Sequence, residues 1–446
     1  MLATPELMRE AALPNGLGER LPRWLREVPL YRGVAASAAS PATGLADLQR
    51  LPFITKADIR RDFPHNFLGA NARLEQLLDQ ELVELEHTSG TSEERTPLLL
   101  GQGWWALQEQ RALRLNPFVA AVLDQFPAAR RVTISSPVCN SDVCYTGTPS
   151  RAERTVGNTL FLSLSRLPFL WGEADLARMA REAAAWEPQF LDVDPVYGVA
   201  FALYCERQRL RLPSLRFILC SYEFVSVNHR RILQRVFGLP VFNLYGSTET
   251  GHLLMEYPAA LVGTYGDRDP SKINGQLAPP RSMDTEPAPM HPSLETAFLE
   301  VLNPDHSGVG ELAVTTLTND FMPLIRYRIG DLVERLEQPY WTRYLVHGRV
   351  ADTFTTPDNL RVTTFQIDQC FSGISGIAHY ELRGKGRAGW SLRLVPDNVP
   401  PAAAQLHELQ RRVEGLLGPA SAPGIQLTDL LLPESSGKFR LTAHST

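Results

Sequence analysis

Five short segments of the chain carry residue types suited to handling a phosphorylated ligand. HTSGTSEERTP (87–97) follows a strand-like VELEH and clusters Ser89, Gly90, Thr91 and Ser92. Small residues let a backbone fold tightly and aim N–H groups and hydroxyls at phosphate oxygens. An ordinary polar turn has the same composition, and the lysine and second glycine of a Walker loop are absent. FNLYGSTETG (242–251) follows an apolar run and presents Tyr245, Gly246, Thr248 and Glu249 together. These offer a ring for a base, a hydroxyl for a phosphate and a carboxylate for Mg²⁺; a turn capped by a Thr/Glu pair is the plainer reading. PLIRYRIGDLVE (323–334) sets Asp331 behind a glycine turn, where its carboxylate could accept two ribose hydroxyls. A hairpin turn with surface ions would look alike. HGRVAD (347–352) combines Gly348, Arg349 and Asp352, a composition suited to a hinge with an arginine reaching a nucleotide. ESSGKFRLT (434–442) offers Lys438, a point charge on a flexible stem, which on its own reads as a solvated tail lysine.

Lysine is scarce: of 44 basic residues only Lys56, Lys272, Lys385 and Lys438 are lysine. A lysine kept against so strong an arginine bias is more often one that is needed as lysine.

The elements that must position these residues can be read from periodicity. VTISSP (132–137), FLDVDP (190–195), LRFILCS (215–221) and LPVFNLYG (239–246) read as buried strands. Between them, EADLARMAREAAAW (173–186) and SVNHRRILQRVFG (226–238) carry apolar residues at helical spacing. The alternation predicts an α/β fold with a mainly parallel sheet, whose ligands sit at the carboxyl ends of strands. Residues 1–80 read as short helices and loops, and 263–293, rich in Pro, Gly and polar residues, as a loop or insertion. Strands resume at 295–304 and 311–318. The composition shifts near 348, after which WSLRLVP (390–396) and AAAQLHELQRRVEGLLG (402–418) indicate a small α+β module. The expected organisation is a large multi-sheet α/β domain over 1–347 and a small mobile α+β domain over 348–446.

Size and charge exclude other classes. With 446 residues, 44% of them hydrophobic, the chain can build a substantial core, and a net charge of −5 argues against a nucleic-acid binder. Five scattered cysteines make a disulfide framework improbable. No stretch resembles a signal peptide or membrane span, so a soluble cytoplasmic protein is expected.

In their order along the chain the five segments resemble the core motifs of the adenylate-forming superfamily, and within it phenylacetate–CoA ligases in particular. The narrower likeness rests on LPFITKADIRRDFP (51–64), TTLTNDFMPLIRYRIGDL (315–332) and the modest length. The resemblance implies activation of a carboxylic acid by ATP and Mg²⁺ as acyl-AMP, then transfer to a thiol, foremost coenzyme A. Residue by residue, it implies that Ser89, Gly90, Thr91 and Ser92 form the phosphate loop and that Ser221, Tyr222 and Glu223 supply the backbone against adenine. Tyr245 would stack on the base with Gly246 beside it. Thr248 would touch the α-phosphate and Glu249 would hold Mg²⁺. Asp331 would anchor the ribose with Arg349 assisting, Asp352 would be the hinge, and Lys438 the catalytic lysine.

The sequence departs from the pattern in places. Glu93 and Glu94 stand in the phosphate loop, Ala351 replaces an acid, and TTPDNLRV (355–362) lacks the glycine usual near the thiol tunnel. The last departure keeps a second reading open, transfer to a carrier-protein pantetheine or an amine. A weakened adenylate-binding or docking protein is a third. Tyr145, Tyr197, Phe224 and His252 are aromatic candidates for the acid pocket. The expected partners are a small carboxylic acid and, under the second reading, an acyl carrier protein, with neither nucleic acid nor membrane; a homodimer is one assembly open to the chain. Some relatives bind zinc after the tyrosine–glycine segment, but Tyr257 stands where a cysteine would be needed, leaving His252 and His291 without a thiolate. Dialysed protein is expected to retain no stoichiometric zinc by elemental analysis.

Overall fold

The computed structural model describes residues 16–35, 45–69, 72–88, 95–137, 143–145, 147–257, 289–338, 341–384, 389–419 and 421–444. The chain divides into two compact units. The first comprises Met1–Ala112, Gly246–Leu254 and Pro292–Gly330, the second Leu113–Tyr245, Met255–His291 and Asp331–Thr446. Residues 348–446 thus fall within the second unit.

In the first unit, the antiparallel pairs Val83–His87 with Pro97–Gly101 and Ala297–Leu302 with Val309–Thr316 supply regular structure. The helix Lys56–Arg60 opens on a capping box, in which the Asp58 carboxylate accepts from the Thr55 amide at 2.9 Å. Its entry is tied down by Arg326, which has a left-handed φ of 52°. The Arg326 guanidinium makes two 3.0 Å bonds to the buried Glu300 carboxylate and donates to the carbonyls of Gln49 and Leu51. A parallel bridge then sets Ile54 beside Tyr327, with the Arg328 amide 2.9 Å from the Ile54 carbonyl. One buried arginine therefore orients the segment that delivers Lys56.

The second unit contains the parallel sheet expected from the alternating pattern. Arg131–Ile134 pairs in parallel with Thr159–Phe161 and Phe190–Val193, which is followed by Phe217–Cys220 and Val241–Ser247. Phe190–Val193 and Phe217–Cys220 are buried at every position, as strands covered on both faces must be. Helices Glu173–Trp186 and Val227–Phe237 connect strands where periodicity places them. The helix Pro195–Arg207 was not anticipated, because it is buried nearly all round and so has no amphipathic stripe. Its signature was local: Asp194 at the N-cap accepts from the amides of Val196 and Tyr197, and Pro195 stands at the first helical position.

Residues 377–444 form a four-stranded sheet in the order Gly424–Leu427, Trp390–Pro396, Ile377–Gly384, Thr442–His444, with the helix Ala403–Leu417. This module shares a core with the parallel sheet: Ala378, Val395, Leu431 and Phe439 belong to the same buried cluster as Val132, Leu191 and Ile218. Polar groups seal the contact. His229 and His379 stack at 5.2 Å and share a 3.0 Å hydrogen bond, and burial drives the His229 pKa down to about 3, so the ring is neutral. Asp397 accepts two bonds from Arg235, at 2.7 and 2.9 Å. Asp368 accepts from the Val227 amide at 2.9 Å, at the first turn of the helix Val227–Phe237, and from the Tyr380 hydroxyl at 3.1 Å.

Burial pushes the Asp368 carboxyl up to about 7 against the pull of these donors. Its folded pKa lies above the unfolded value, so its contribution is complete below about pH 4 and is lost as the pH rises towards 7. Asp368→Asn keeps an acceptor for Val227 and does not ionise. Relative to the variant, the parent is expected to lose on the order of 2 kcal/mol between pH 4 and 7.5 in urea unfolding.

Candidate active site

The turn between the strands Val241–Ser247 and Gly251–Glu256 carries Thr248 and Glu249. Gly246 is required there, since a Cβ at that position would lie 2.2 Å from the Gly251 carbonyl oxygen. Thr248 is partly exposed, whereas Glu249 is buried. The Lys56 ammonium faces the Glu249 carboxylate at 3.1 Å, the Tyr327 hydroxyl donates to it at 2.9 Å, and the Ser247 side chain bonds it as well. Burial alone would raise its pKa, but Lys56 and the hydrogen bonds outweigh it and hold the carboxyl below the usual range. An ionised oxygen donor is thus fixed in place. Mg²⁺ asks for one or two carboxylates and takes its remaining ligands from water and phosphate, so Glu249 fits that ion. His252, on the following strand, lies 4.8 Å from the Trp105 ring.

In the second unit, Tyr245 donates its hydroxyl to Asp331 at 2.7 Å, and Arg349 lies 4.0 Å from the same carboxylate. Strand pairing sets Asp331 opposite Arg349 in the hairpin of Tyr327–Gln338 and Trp341–Arg349. Two residues expected to hold a nucleoside, Tyr245 and Arg349, thus both approach the Asp331 carboxylate. Asp352 lies buried in a single 3₁₀ turn, Val350–Asp352, and pairs with Arg440 at 3.5 Å.

Ser221, Tyr222 and Glu223 follow the parallel strand Phe217–Cys220 at its carboxyl end. Tyr222 has a φ of 74°, a left-handed conformation that is rare for an aromatic residue. Asp192 on the neighbouring strand holds it, accepting from Ser221 Oγ at 2.6 Å and from the Tyr222 hydroxyl at 3.3 Å. The Tyr222 carbonyl accepts from Lys438 Nζ at 3.2 Å. Nearby, burial raises the Asp194 carboxyl to about 7, and burial together with Asp194 raises Glu223 well above the carboxylate range. Lys438 pulls both down. Two acids that share such a site retain a proton near neutral pH.

The aromatic candidates separate. Tyr197 has no exposed surface; it is a core residue whose hydroxyl donates to the Arg166 and Gly437 carbonyls. Phe224 packs against the core of the C-terminal module, and Tyr145 is partly exposed. Ser89, Gly90, Thr91 and Ser92 lie outside the described residues. Sequence reasoning missed Lys56, Tyr327 and Asp192. Lysine scarcity was the signal available for the first, and the other two had none.

No family model and no curated protein matches the sequence. Solved structures do. A 2-hydroxyisobutyryl-CoA ligase in the postadenylation state, in complex with 2-HIB-AMP, is similar with a TM-score of 0.61 and 16% identity, over 94% of this chain and 87% of that one. The same ligase in the thioesterification state gives 0.52 and 16%, over 96% and 88%. The anthranilate CoA ligase AuaEII, in complex with anthranoyl-AMP, gives 0.55 and 14%, over 88% and 73%. The chain has the fold of these adenylate-forming CoA ligases.

Tyr257, His291 and Arg343 meet beyond the strand Gly251–Glu256. Tyr257 and His291 lie 4.6 Å apart, Arg343 donates to His291 Nε2 at 3.0 Å, and its guanidinium lies 5.3 Å over the Tyr257 ring. Burial and Arg343 bring His291 down to about 4, leaving a neutral ring with a lone pair for the arginine. Among the described residues no cluster of three or more His, Cys, Asp or Glu could hold a metal ion.

Lys56→Met tests the buried acid. The variant leaves Glu249 facing Tyr327 without a cation, and its pKa rises. The parent's depressed pKa contributes stability that is present above about pH 4.5 and lost on acidification, and the variant lacks it. Because Lys56 is half-exposed, the expected loss is modest, about 1–2 kcal/mol at pH 8, shrinking towards pH 4 in chemical denaturation.

Proposed function

We propose that the chain is an AMP-forming acid–thiol ligase. One oxygen of a carboxylic acid attacks the α-phosphorus of ATP, the Pα–O bond to the leaving pyrophosphate breaks, and acyl-AMP forms. A thiol sulfur, foremost that of coenzyme A, then attacks the acyl carbon and AMP leaves. The observation carrying this reading is the seating of Lys438, a lysine from the last strand–loop of the chain, on the turn after a parallel strand, in the unit that also joins Tyr245, Asp331 and Arg349. Ligands of parallel α/β sheets bind at that end of the strands.

Adenylation brings an anionic nucleophile to an anionic phosphate, and fixed positive charge lowers that barrier most directly. In this reading Asp331 and Tyr245 hold the nucleoside, the backbone of residues 221–223 borders the base, and Thr248 donates to the α-phosphate. Lys438 leaves the Tyr222 carbonyl for the phosphate oxygens. Glu249 would hold Mg²⁺, which supplies charge neutralisation at the phosphates. Asp352 and its neighbours form the hinge between a large domain over 1–347 and a small one over 348–446, and turning there would bring the thiol in. The turn at 355–362 keeps a left-handed residue in Asn359, φ 59°, a conformation asparagine tolerates, so the missing glycine does not abolish it. The Trp105–His252 ring contact beside the Thr248–Glu249 turn favours an aromatic acid.

Pyrophosphate exchange across a panel of acids, followed by mass spectrometry with and without coenzyme A, tests the reading. Thioester formed from coenzyme A supports it, whereas amide or carrier-bound product moves it to the second acceptor class. Lys438→Ala is expected to lower exchange by on the order of 10²–10³. Thiolysis of a supplied acyl-adenylate should be largely intact. Equal loss in both half-reactions would refute that division of labour.

A further inference from the structure

The loop that carries Lys438 is gripped at successive residues. Glu434 and Lys438 close it on themselves: the Glu434 amide donates to the Lys438 carbonyl and the Gly437 amide to the Glu434 carbonyl, both at 2.8 Å. Tyr197 donates its hydroxyl to the Gly437 carbonyl at 3.0 Å. Gly437 itself has a φ of 82°, and a Cβ there would lie 2.0 Å from Ser136 Oγ, so the loop lies hard against the end of the strand Arg131–Ile134. These contacts hold the loop but do not aim the lysine.

Aim comes from the turn after Phe217–Cys220. Two consecutive residues there engage two consecutive residues of the loop: the Tyr222 carbonyl accepts from Lys438 Nζ at 3.2 Å, and Glu223 Oε1 accepts from the Phe439 amide at 2.7 Å. The second bond is short for an amide donor and a carboxyl oxygen. It fixes the backbone immediately beyond Lys438. Asp194, buried at the N-cap of Pro195–Arg207, shares a side-chain hydrogen bond with the Glu223 carboxyl.

We propose that Glu223 is a positioning residue for Lys438: its carboxyl latches the Phe439 amide and so sets the reach of the lysine from the same turn that borders the base. The proposal rests on the adenylating role of Lys438 for its activity readout, but its geometric readout is independent. Removing the latch takes the acceptor from the Phe439 amide and leaves the backbone held through Gly437 and the packed Phe439 ring, so that the ammonium, still within reach of the Tyr222 carbonyl, is less closely set. A misplacement of about 1 Å near reacting atoms can slow a reaction by roughly 10²-fold.

Two measurements on the full chain test this. Reductive ¹³C-methylation labels every lysine, few enough in this sequence to resolve, and Lys438→Arg assigns the Lys438 resonance. Glu223→Ala is expected to shift and narrow that resonance in the unliganded protein, with Glu223→Gln, whose amide oxygen still accepts from Phe439, close to the parent. In pyrophosphate exchange Glu223→Ala is expected to fall about 10–100-fold. Glu223→Gln should restore most of the rate. If the alanine variant does not fold, Glu223→Asp, which withdraws the carboxyl by one methylene, carries the same test. An unmoved Lys438 resonance, an unchanged exchange rate, or a glutamine variant as impaired as alanine overturns the proposal. Absence of exchange in the parent with every acid would instead sink the proposed function, and the resonance would still decide for or against the latch.

Discussion

A tyrosine in the left-handed region is strained, by roughly 1–3 kcal/mol, and persists only where its surroundings over-determine it. At Tyr222 they do. Asp192 takes hydrogen bonds from both Ser221 and the Tyr222 hydroxyl, so one buried carboxylate fixes the turn at two points. The consequence is directional: the reversed φ turns the Tyr222 carbonyl towards the Lys438 ammonium. A residue in ordinary β conformation would continue the strand and present its carbonyl to a neighbouring strand instead. The chemistry assigned to the far end of the chain therefore depends on a backbone conformation fixed by an acid more than two hundred residues earlier.

The same logic recurs in how charge is buried. Arg326 with Glu300, Arg230 with Glu256 and Arg154 with Glu182 are arginine–carboxylate pairs with little exposure, and arginine, with several donors in a rigid fork, satisfies carboxylates and carbonyls together. The described lysines lie elsewhere, against Glu249 and against the Tyr222 carbonyl. A single mobile ammonium suits a contact that must be released when a ligand arrives, whereas a forked guanidinium suits one that must not.

The parts of this arrangement legible in the sequence were those encoded locally. The strands around 190–193, 217–220 and 241–247 were buried runs between helical repeats, and Trp390–Pro396 was found to the residue. Asp331 and Arg349 could be singled out as candidates, but their apposition arises from hairpin register, which no short motif states. Tyr197 shows the opposite failure. Its position after a strand end suggested an open wall, yet the helix it begins is apolar on all sides and draws it into the core. Lys56 meets Glu249 on a segment that Arg326 ties at 49–51, a contact spanning some 275 residues that no local pattern records.

The bond from Asp368 to the Val227 amide gives the helix Val227–Phe237 an acidic cap borrowed from beyond residue 348. Helix starts are the positive ends of aligned peptide dipoles, and a donor left bare there in an apolar setting is unfavourable. A chain truncated ahead of the C-terminal module would lose that cap, bare the apolar surface now covered by Ala378, Val395, Leu431 and Phe439, and leave Arg235 without Asp397.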